Sequence, residues 1–187
     1  MRKRYPVNSS HVPLTVAVTG GAGFIGSAVC RRLAKRPNWR VINIDLLTYA
    51  GNSANVAAVA NLPNYRFYQR DICDQAGMIE ILRGEKVDAV LHLAAESHVD
   101  RSISASDAFI ETNIVGTFRL LQATLAHWRE LNGEQRQRFR FVHVSTDEVY
   151  GSLWPGEPGF SETTRYDPSS PYSASKAASD HLATAWH

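Results

Sequence analysis

The sequence predicts an α/β fold, a doubly wound parallel sheet with helices on both faces. Three features point to it. Short apolar runs alternate with longer amphipathic stretches, a glycine-rich turn joins the first run to the first such stretch, and an acid closes the second run. Apolar runs at residues 14–18, 40–44, 65–69, 87–93 and 139–144 are predicted strands. Over residues 23–35 the spacing of Phe24, Ala28, Val29 and Leu33 predicts a helix. Further helices are predicted at 54–61, 74–82, 105–131 and 170–186. Right-handed crossovers then place the strands parallel and cover both faces of the sheet.

A chain of 187 residues predicts one domain or slightly more. With 44% hydrophobic residues it can bury a core. The net charge is +2 and the basic residues are scattered, which excludes the clustered cationic face of a nucleic-acid binder. Arg2, Lys3 and Arg4 precede polar residues and Pro6 rather than an apolar segment, so they do not form a secretory signal. Residues 1–12 are expected to be a flexible tail and 13–187 the folded domain. No apolar run approaches membrane-spanning length, so no membrane partner is expected. Cys30 and Cys73, the two cysteines, are far apart, which predicts neither a disulfide framework nor a thiolate metal site and suits a reducing cytoplasm. The seven histidines include no HExxH pair, and no metal is expected. The chain stops at Ala185-Trp186-His187 inside a helical pattern without a stop signal, so a longer protein is expected.

The glycine-rich turn is Thr19-Gly20-Gly21-Ala22-Gly23-Phe24-Ile25-Gly26. It satisfies GxGxxG through Gly21, Gly23 and Gly26, and GxxGxxG through Gly20, Gly23 and Gly26. Such glycines allow a tight turn and let backbone approach a pyrophosphate, while the helix N-terminus offers N–H groups to the anion. Alone the pattern is weak; with a strand before it, a helix after it and an acid at the end of the second strand it becomes specific. That acid is Asp45, whose carboxylate is expected to accept from both ribose hydroxyls and to repel a 2′-phosphate. A Rossmann-type NAD site is therefore predicted, with NAD favoured over NADP. Asp71, after the third strand, is placed to meet the adenine ring.

Tyr172 and Lys176 stand at i and i+4 on the last predicted helix and share a face. A phenol is a poor base at neutral pH, and a nearby ammonium is expected to lower its pKa. The pair then suits proton removal from an alcohol whose carbon gives up hydride. Ser145 and Thr146, at the end of the fifth strand, add a hydroxyl for the same substrate oxygen.

From residue 12 to 187 these features resemble the extended short-chain dehydrogenase/reductase family. Within it, four strings resemble the dTDP-glucose 4,6-dehydratase branch: Asp45-Leu46-Leu47-Thr48-Tyr49-Ala50-Gly51-Asn52; His92-Leu93-Ala94-Ala95-Glu96-Ser97-His98-Val99-Asp100-Arg101-Ser102; Thr112-Asn113-Ile114-Val115-Gly116-Thr117; and Ser145-Thr146-Asp147-Glu148-Val149-Tyr150-Gly151. The resemblance implies that Phe24 and Ile25 contact the pyrophosphate, that Asp45, Leu46, Leu47 and Thr48 hold the adenosine ribose, and that Asp71 and Ile72 meet the adenine. It also implies that Leu93, Ala94, Ala95 and Ser97 line the cofactor, that Thr112 touches it, and that Ser97, Thr146 and Tyr172 meet the sugar. A nucleotide-sugar substrate, a homodimer built on the helices at 105–131 and 170–187, and a C-terminal substrate domain outside this chain are implied in the same way. Phe118, Leu121, Leu125 and Trp128 form an apolar face that suits either the dimer or the sheet.

Asp147 and Glu148 set the expected reaction apart from its relatives. Oxidation at C4 of a hexose acidifies the C5 proton, and loss of water across C5–C6 then needs a base and an acid. Glu148 is expected to be the base and Asp147 the acid, and both must lie in the turn beyond the strand to reach one sugar. The product would be a 4-keto-6-deoxy sugar nucleotide. A nucleotide-sugar 4-epimerase or decarboxylase would use Thr146, Tyr172 and Lys176 without needing that acidic pair. A non-catalytic NAD-binding module would need neither set.

Overall fold

The computed structural model describes residues 13–186; the tail expected at 1–12 lies outside the described residues. Five strands, β1 (Leu14–Thr19), β2 (Trp39–Asp45), β3 (Tyr65–Gln69), β4 (Ala89–His92) and β5 (Arg140–His143), form one parallel sheet in the order β3-β2-β1-β4-β5. The chain winds outward from β1 to β3, then crosses back to place β4 on the other side of β1. The register pairs Thr19 with Ile44 on one side and with His92 on the other, and His92 with His143. Four strands therefore end nearly level, and their C-terminal ends form one rim.

The central strands β1 and β2 are buried on both faces and read as near-continuous apolar runs, whereas the edge strands β3 and β5 keep exposed residues such as Arg66 and Val142. Ala17, Ile42, Ile44 and Val90 pack with Met78 and Leu82 of α2 (Gln75–Gly84) and Leu120 and Ala123 of α5 (Thr117–Glu130). Val16, Val18 and Val41 pack on the opposite face with Cys30 and Leu33 of α1 (Phe24–Ala34) and with Val56 and Val59. Each wholly buried aliphatic side chain of this kind contributes about 1.5–3 kcal/mol.

The structure departs from the sequence expectation at several helices. The stretch predicted as one helix over 105–131 is three: α4 (Ser106–Phe109), a π-helical turn (Ile110–Gly116) and α5. Buried Phe109, Asn113 and Gly116 keep to one face through the wide turn, so the apolar period gives no sign of it. Over 54–61 there is a 3₁₀ turn (Ser53–Val56), opened by the Asn52 side chain accepting from Ala54 N at 2.9 Å, and then irregular turns. Val56 and Val59 keep the helical spacing as buried anchors. Two short helices had no apolar period to announce them, α3 (Val99–Ser104) and α6 (Gly133–Arg138). Helix α6 opens on a capping box, Asn132 with Gln135. Helix α7 (Pro171–Ala185) matches its expected span and opens on a Ser170–Ser173 capping box with Pro171 in the first turn. No helix among the described residues is long and apolar enough to cross a membrane.

Candidate active site

A cleft of about 370 Å³ opens along the rim at the C-terminal ends of β1, β2 and β4. It lies where the chain reverses its winding, the switch point at which open α/β sheets bind ligands. The glycine turn forms its floor. Gly20 has φ +70°, and a Cβ there would lie 2.7 Å from Ala94 N in the loop after β4. A Cβ on Gly26 would lie 2.1 Å from Gly20 O. The turn is thus closed by backbone packed on backbone, and Gly23 N donates to Gly20 O at 3.2 Å.

Helix α1 begins at this turn with Gly23 as its N-cap, no side-chain cap and no acid in its first turn. Its first N–H groups have no carbonyl one turn earlier to bond. Phe24 is 92% exposed and Ile25 60% exposed, and both line the cleft with Gly26. An uncapped helix start with backbone open to approach fits a pyrophosphate. Asp45, buried at the end of β2, accepts from Ala22 N through Oδ2 and from Leu47 N through Oδ1, both at 2.8 Å. One carboxylate thus braces the glycine turn and the loop after β2. Each oxygen keeps a further lone pair, which fits the two hydroxyls of a ribose.

Of the residues expected to bind the cofactor, Gly20, Gly23, Phe24, Ile25, Gly26, Asp45, Leu46, Thr48, Asp71, Ile72, Leu93, Ala94, Ala95, Ser97, Thr112, Tyr172 and Lys176 line this one cleft. Leu47 does not; its φ is +59° and its N–H is spent on Asp45. Ile44, Ala50, Gly51, Arg70, Glu96, Val144 and Ser145 also line the cleft and were not expected to bind the cofactor. Beneath the rim, His92 bridges Thr19 Oγ1 at 2.8 Å and Thr117 Oγ1 at 2.9 Å. Burial, with the charges of His143 and Lys176, pushes the pKa of His92 well below its usual value. Asn113, from the π-helical turn, accepts from Glu96 N and donates to Glu96 O and Ser175 Oγ, each at 2.9 Å. It joins the loop after β4 to helix α7. No periodic or motif signal marks His92 or Asn113 as linkers, because their partners are distant in sequence.

Tyr172 and Lys176 both face the cleft from α7. Tyr172 packs edge-on against Phe109, with ring centroids 6.3 Å apart. The expectation that Lys176 lowers the Tyr172 pKa needs correction. The phenol is pushed up, first by burial and then by the charges of Glu148, Asp147 and Asp180, against a lowering hydrogen bond from Thr146. Lys176 instead donates to Val144 O at 2.8 Å, and burial brings its ammonium down to about 8 while Asp180 opposes that fall. A shared helix face brings two residues close together but does not fix which acceptor the longer side chain takes.

Thr146, Asp147 and Glu148 follow β5 in the turn beyond the strand. Thr146 caps a 3₁₀ turn (Asp147–Tyr150), its Oγ1 accepting from Glu148 N at 3.3 Å. None of the three lines the cleft wall itself, but both acids are close enough to act on the Tyr172 phenol. Asp147 is exposed and Glu148 half-buried, while Val149 anchors the turn in the interior.

Known proteins resemble the chain in both sequence and fold. The profile of the family described as GDP-mannose 4,6 dehydratase matches residues 17–187. The dTDP-glucose 4,6-dehydratase of Neisseria meningitidis serogroup B (strain ATCC BAA-335 / MC58) is 56% identical over 171 residues, covering 91% of this chain and 48% of the relative. The dTDP-glucose 4,6-dehydratase 1 of Escherichia coli (strain K12) is 54% identical over 181 residues, covering 92% and 50%. The crystal structure of DesIV, a dTDP-glucose 4,6-dehydratase from Streptomyces venezuelae with NAD and TYD bound, superposes with a TM-score of 0.81 at 47% identity, covering 93% of this chain and 52% of that one. The UDP-glucose 4-epimerase of Thermus thermophilus in complex with NAD superposes with a TM-score of 0.79 at 32% identity, covering 92% and 50%. The chain spans about half the length of the relatives it matches. On the extent of these matches and on the doubly wound sheet with its glycine turn, the chain belongs to the GDP-mannose 4,6 dehydratase family, within the NAD epimerase/dehydratase superfamily.

Proposed function

We propose that the full-length protein is a nucleotide-sugar 4,6-dehydratase that converts dTDP-glucose to dTDP-4-keto-6-deoxyglucose with bound NAD. The reading is supported by Thr146, Asp147 and Glu148, which lie in the turn after β5 and all act on the Tyr172 phenol, itself in the wall of the cleft that holds the glycine turn and Asp45. The identities of 56% and 54% to dTDP-glucose 4,6-dehydratases favour that chemistry over epimerisation, where the matched structure is 32% identical.

The N–H groups of Phe24, Ile25 and Gly26 would take the pyrophosphate, Asp45 with Leu46, Leu47 and Thr48 the adenosine ribose, and Asp71 and Ile72 the adenine. Leu93, Ala94, Ala95, Ser97 and Thr112 would wall the rest of the cofactor. When bound, NAD would take the hydride from C4 and return it to C6. Tyr172, as phenolate, removes the proton from the C4 hydroxyl, with Thr146 bonding the same oxygen and Ser97 beside the sugar. The Lys176 cation stands in the same cleft wall, donating to the Val144 carbonyl, and would supply positive charge on the cofactor side of the site. Glu148 takes the C5 proton that the new ketone has acidified, and Asp147 protonates the departing C6 hydroxyl as water. Glu148 then gives its proton back to C5. The proton gained by Tyr172 and the one lost by Asp147 balance through solvent. No metal enters this scheme.

Full-length protein given dTDP-glucose should form the 4-keto-6-deoxy product, and UDP-glucose should turn over more slowly. Formation of dTDP-galactose instead would overturn the dehydratase assignment. Glu148→Gln should slow product formation about 100-fold while C4 oxidation persists, seen as reduced nicotinamide that accumulates in single turnover. Loss of both steps together would remove Glu148 from its assigned role.

We also infer a homodimer that packs α5 and α7 against their twins. Support comes from half-buried Phe118 and Leu125 on α5, whereas Leu121 is buried within the chain and Trp128 packs on its core. Sedimentation of the full-length protein at twice the chain mass is the expected result; a monomer would refute it. A reducing cytoplasm suits the two free cysteines.

A further inference from the structure

Helix α7 carries a third ionisable side chain at the site, and no step of the proposed reaction uses it. Asp180 lies one turn beyond Lys176 and is 8% exposed. Its Oδ2 accepts from the Ser145 hydroxyl at 2.6 Å and from the Tyr166 hydroxyl at 3.0 Å. Its Oδ1 lies 3.1 Å from His143 Nε2. The partners come from separate parts of the chain. His143 closes β5, Ser145 leads into the acidic turn, and Tyr166 belongs to the long connection before α7. Tyr166 is held further by edge contact with Tyr150 and by the ring of His181. A carboxylate is kept out of water only where it is paired, and this one accepts two hydroxyl hydrogen bonds and faces an imidazole.

The residues that Asp180 holds flank the reacting groups. Ser145 follows Val144, whose carbonyl receives Lys176 Nζ at 2.8 Å. Thr146 comes next, beside the phenol. Ser179, adjacent to Asp180, donates to the Lys176 carbonyl at 2.8 Å and lies 3.1 Å from His143 Nε2. We propose that Asp180 is a positioning residue: its carboxylate pins the end of β5 to α7, and so sets the Val144 carbonyl against Lys176 and Thr146 against Tyr172. Any effect on turnover rests on the dehydratase activity proposed above.

The same carboxylate contributes charge. The titratable groups around Lys176 are His92 from β4, His143 from β5, and Tyr172 and Asp180 from α7, with Asp147 and Glu148 beyond Tyr172. Burial would raise the Asp180 pKa, yet its bonds to His143, Ser145 and Tyr166 more than offset this and hold the carboxyl below the usual range. Asp180 is therefore an anion at working pH, and it favours the Lys176 cation against the burial that brings it to about 8. Without that anion Lys176 loses its proton at lower pH, so activity that needs the cation falls off at lower pH.

In the full-length protein, Asp180→Asn is expected to lower kcat about tenfold at pH 8 with KM for dTDP-glucose within about twofold, and to move the alkaline limb of kcat down by roughly half a unit or more. Asp180→Glu, which keeps the charge, is expected to restore the limb. The pH dependence of Lys176 acetylation by acetic anhydride, read by mass spectrometry without substrate, should shift with it. That readout stands even if the wild-type protein makes no 4-keto-6-deoxy sugar, an outcome that would overturn the dehydratase assignment alone. A folded Asp180→Asn protein with wild-type kcat and an unshifted Lys176 titration overturns the proposal. Should that variant not fold, Ser145→Ala decides. It removes the 2.6 Å bond and leaves the charge. A few-fold lower kcat at unchanged KM supports the positioning role, and a wild-type kcat overturns it.

Discussion

Tyr172→Phe in the full-length protein is expected to lower kcat for dTDP-glucose by about 10³–10⁴-fold, with KM little changed. The substitution removes one oxygen and keeps the ring that packs edge-on against Phe109. The capping box that starts α7, Ser170 with Ser173, is untouched, so the helix and the placement of Lys176 persist. What disappears is the group proposed to take the C4 proton as hydride leaves. The accompanying pH profile has a definite sign. Burial and the charges of Glu148, Asp147 and Asp180 raise the phenol pKa, so kcat should climb with pH as the phenolate population grows. It should fall again once Lys176 loses its proton, near pH 8 in the substrate-free protein. Stopped-flow absorbance of the reduced nicotinamide, recorded with the wild type and the Phe variant across pH, tests both statements. A Phe variant that still oxidises C4 at the wild-type rate would remove Tyr172 from the reaction.

Gly26→Ala is expected to abolish NAD binding, with affinity lowered at least about 100-fold, and to cost about 1–3 kcal/mol of stability. Within a helix the change from Gly to Ala by itself favours folding by about 1 kcal/mol. Here the new Cβ would lie 2.1 Å from Gly20 O, 2.8 Å from Gly20 C and 2.9 Å from Gly21 Cα. All three are backbone atoms, so no rotamer change relieves the clash and the sterics decide the sign. The turn would have to open, yet Gly20 is itself wedged against the backbone of Leu93 and Ala94. Gly84→Ala is the matched control. It stands at the end of α2 with nothing within 4 Å of its added Cβ, and it should bind NAD as the wild type does. Calorimetric titration with NAD and thermal melts compare the two. Wild-type affinity in Gly26→Ala would mean that the turn is not the pyrophosphate floor.

Local signals carried much of the fold into view. The central strands were legible because a parallel sheet covered on both faces leaves continuous apolar runs, and the edge strand β3 (Tyr65–Gln69), though partly exposed, also has the expected bounds. The glycine turn, Asp45 and the YxxxK pair were legible because each depends on neighbours a few residues away. The π-helical turn was not, since Phe109, Asn113 and Gly116 satisfy an ordinary helical spacing. Asp180 was half legible. Its position one turn after Lys176 was there to be read, but its three partners were not.

The sequence by itself determined the α/β class, the start of α1 at the glycine turn, and the placement of an acidic pair just beyond a strand, because these follow from backbone sterics and periodicities of a few residues. Only the tertiary structure decided that Lys176 takes the Val144 carbonyl, that Asp147 and Glu148 raise rather than ignore the Tyr172 phenol, and that Asp180 binds Ser145 and Tyr166. The physical reason is that hydrogen bonds and pKa shifts depend on burial and on charges a few ångströms away, and the groups concerned are brought together by crossovers that join residues far apart in the chain.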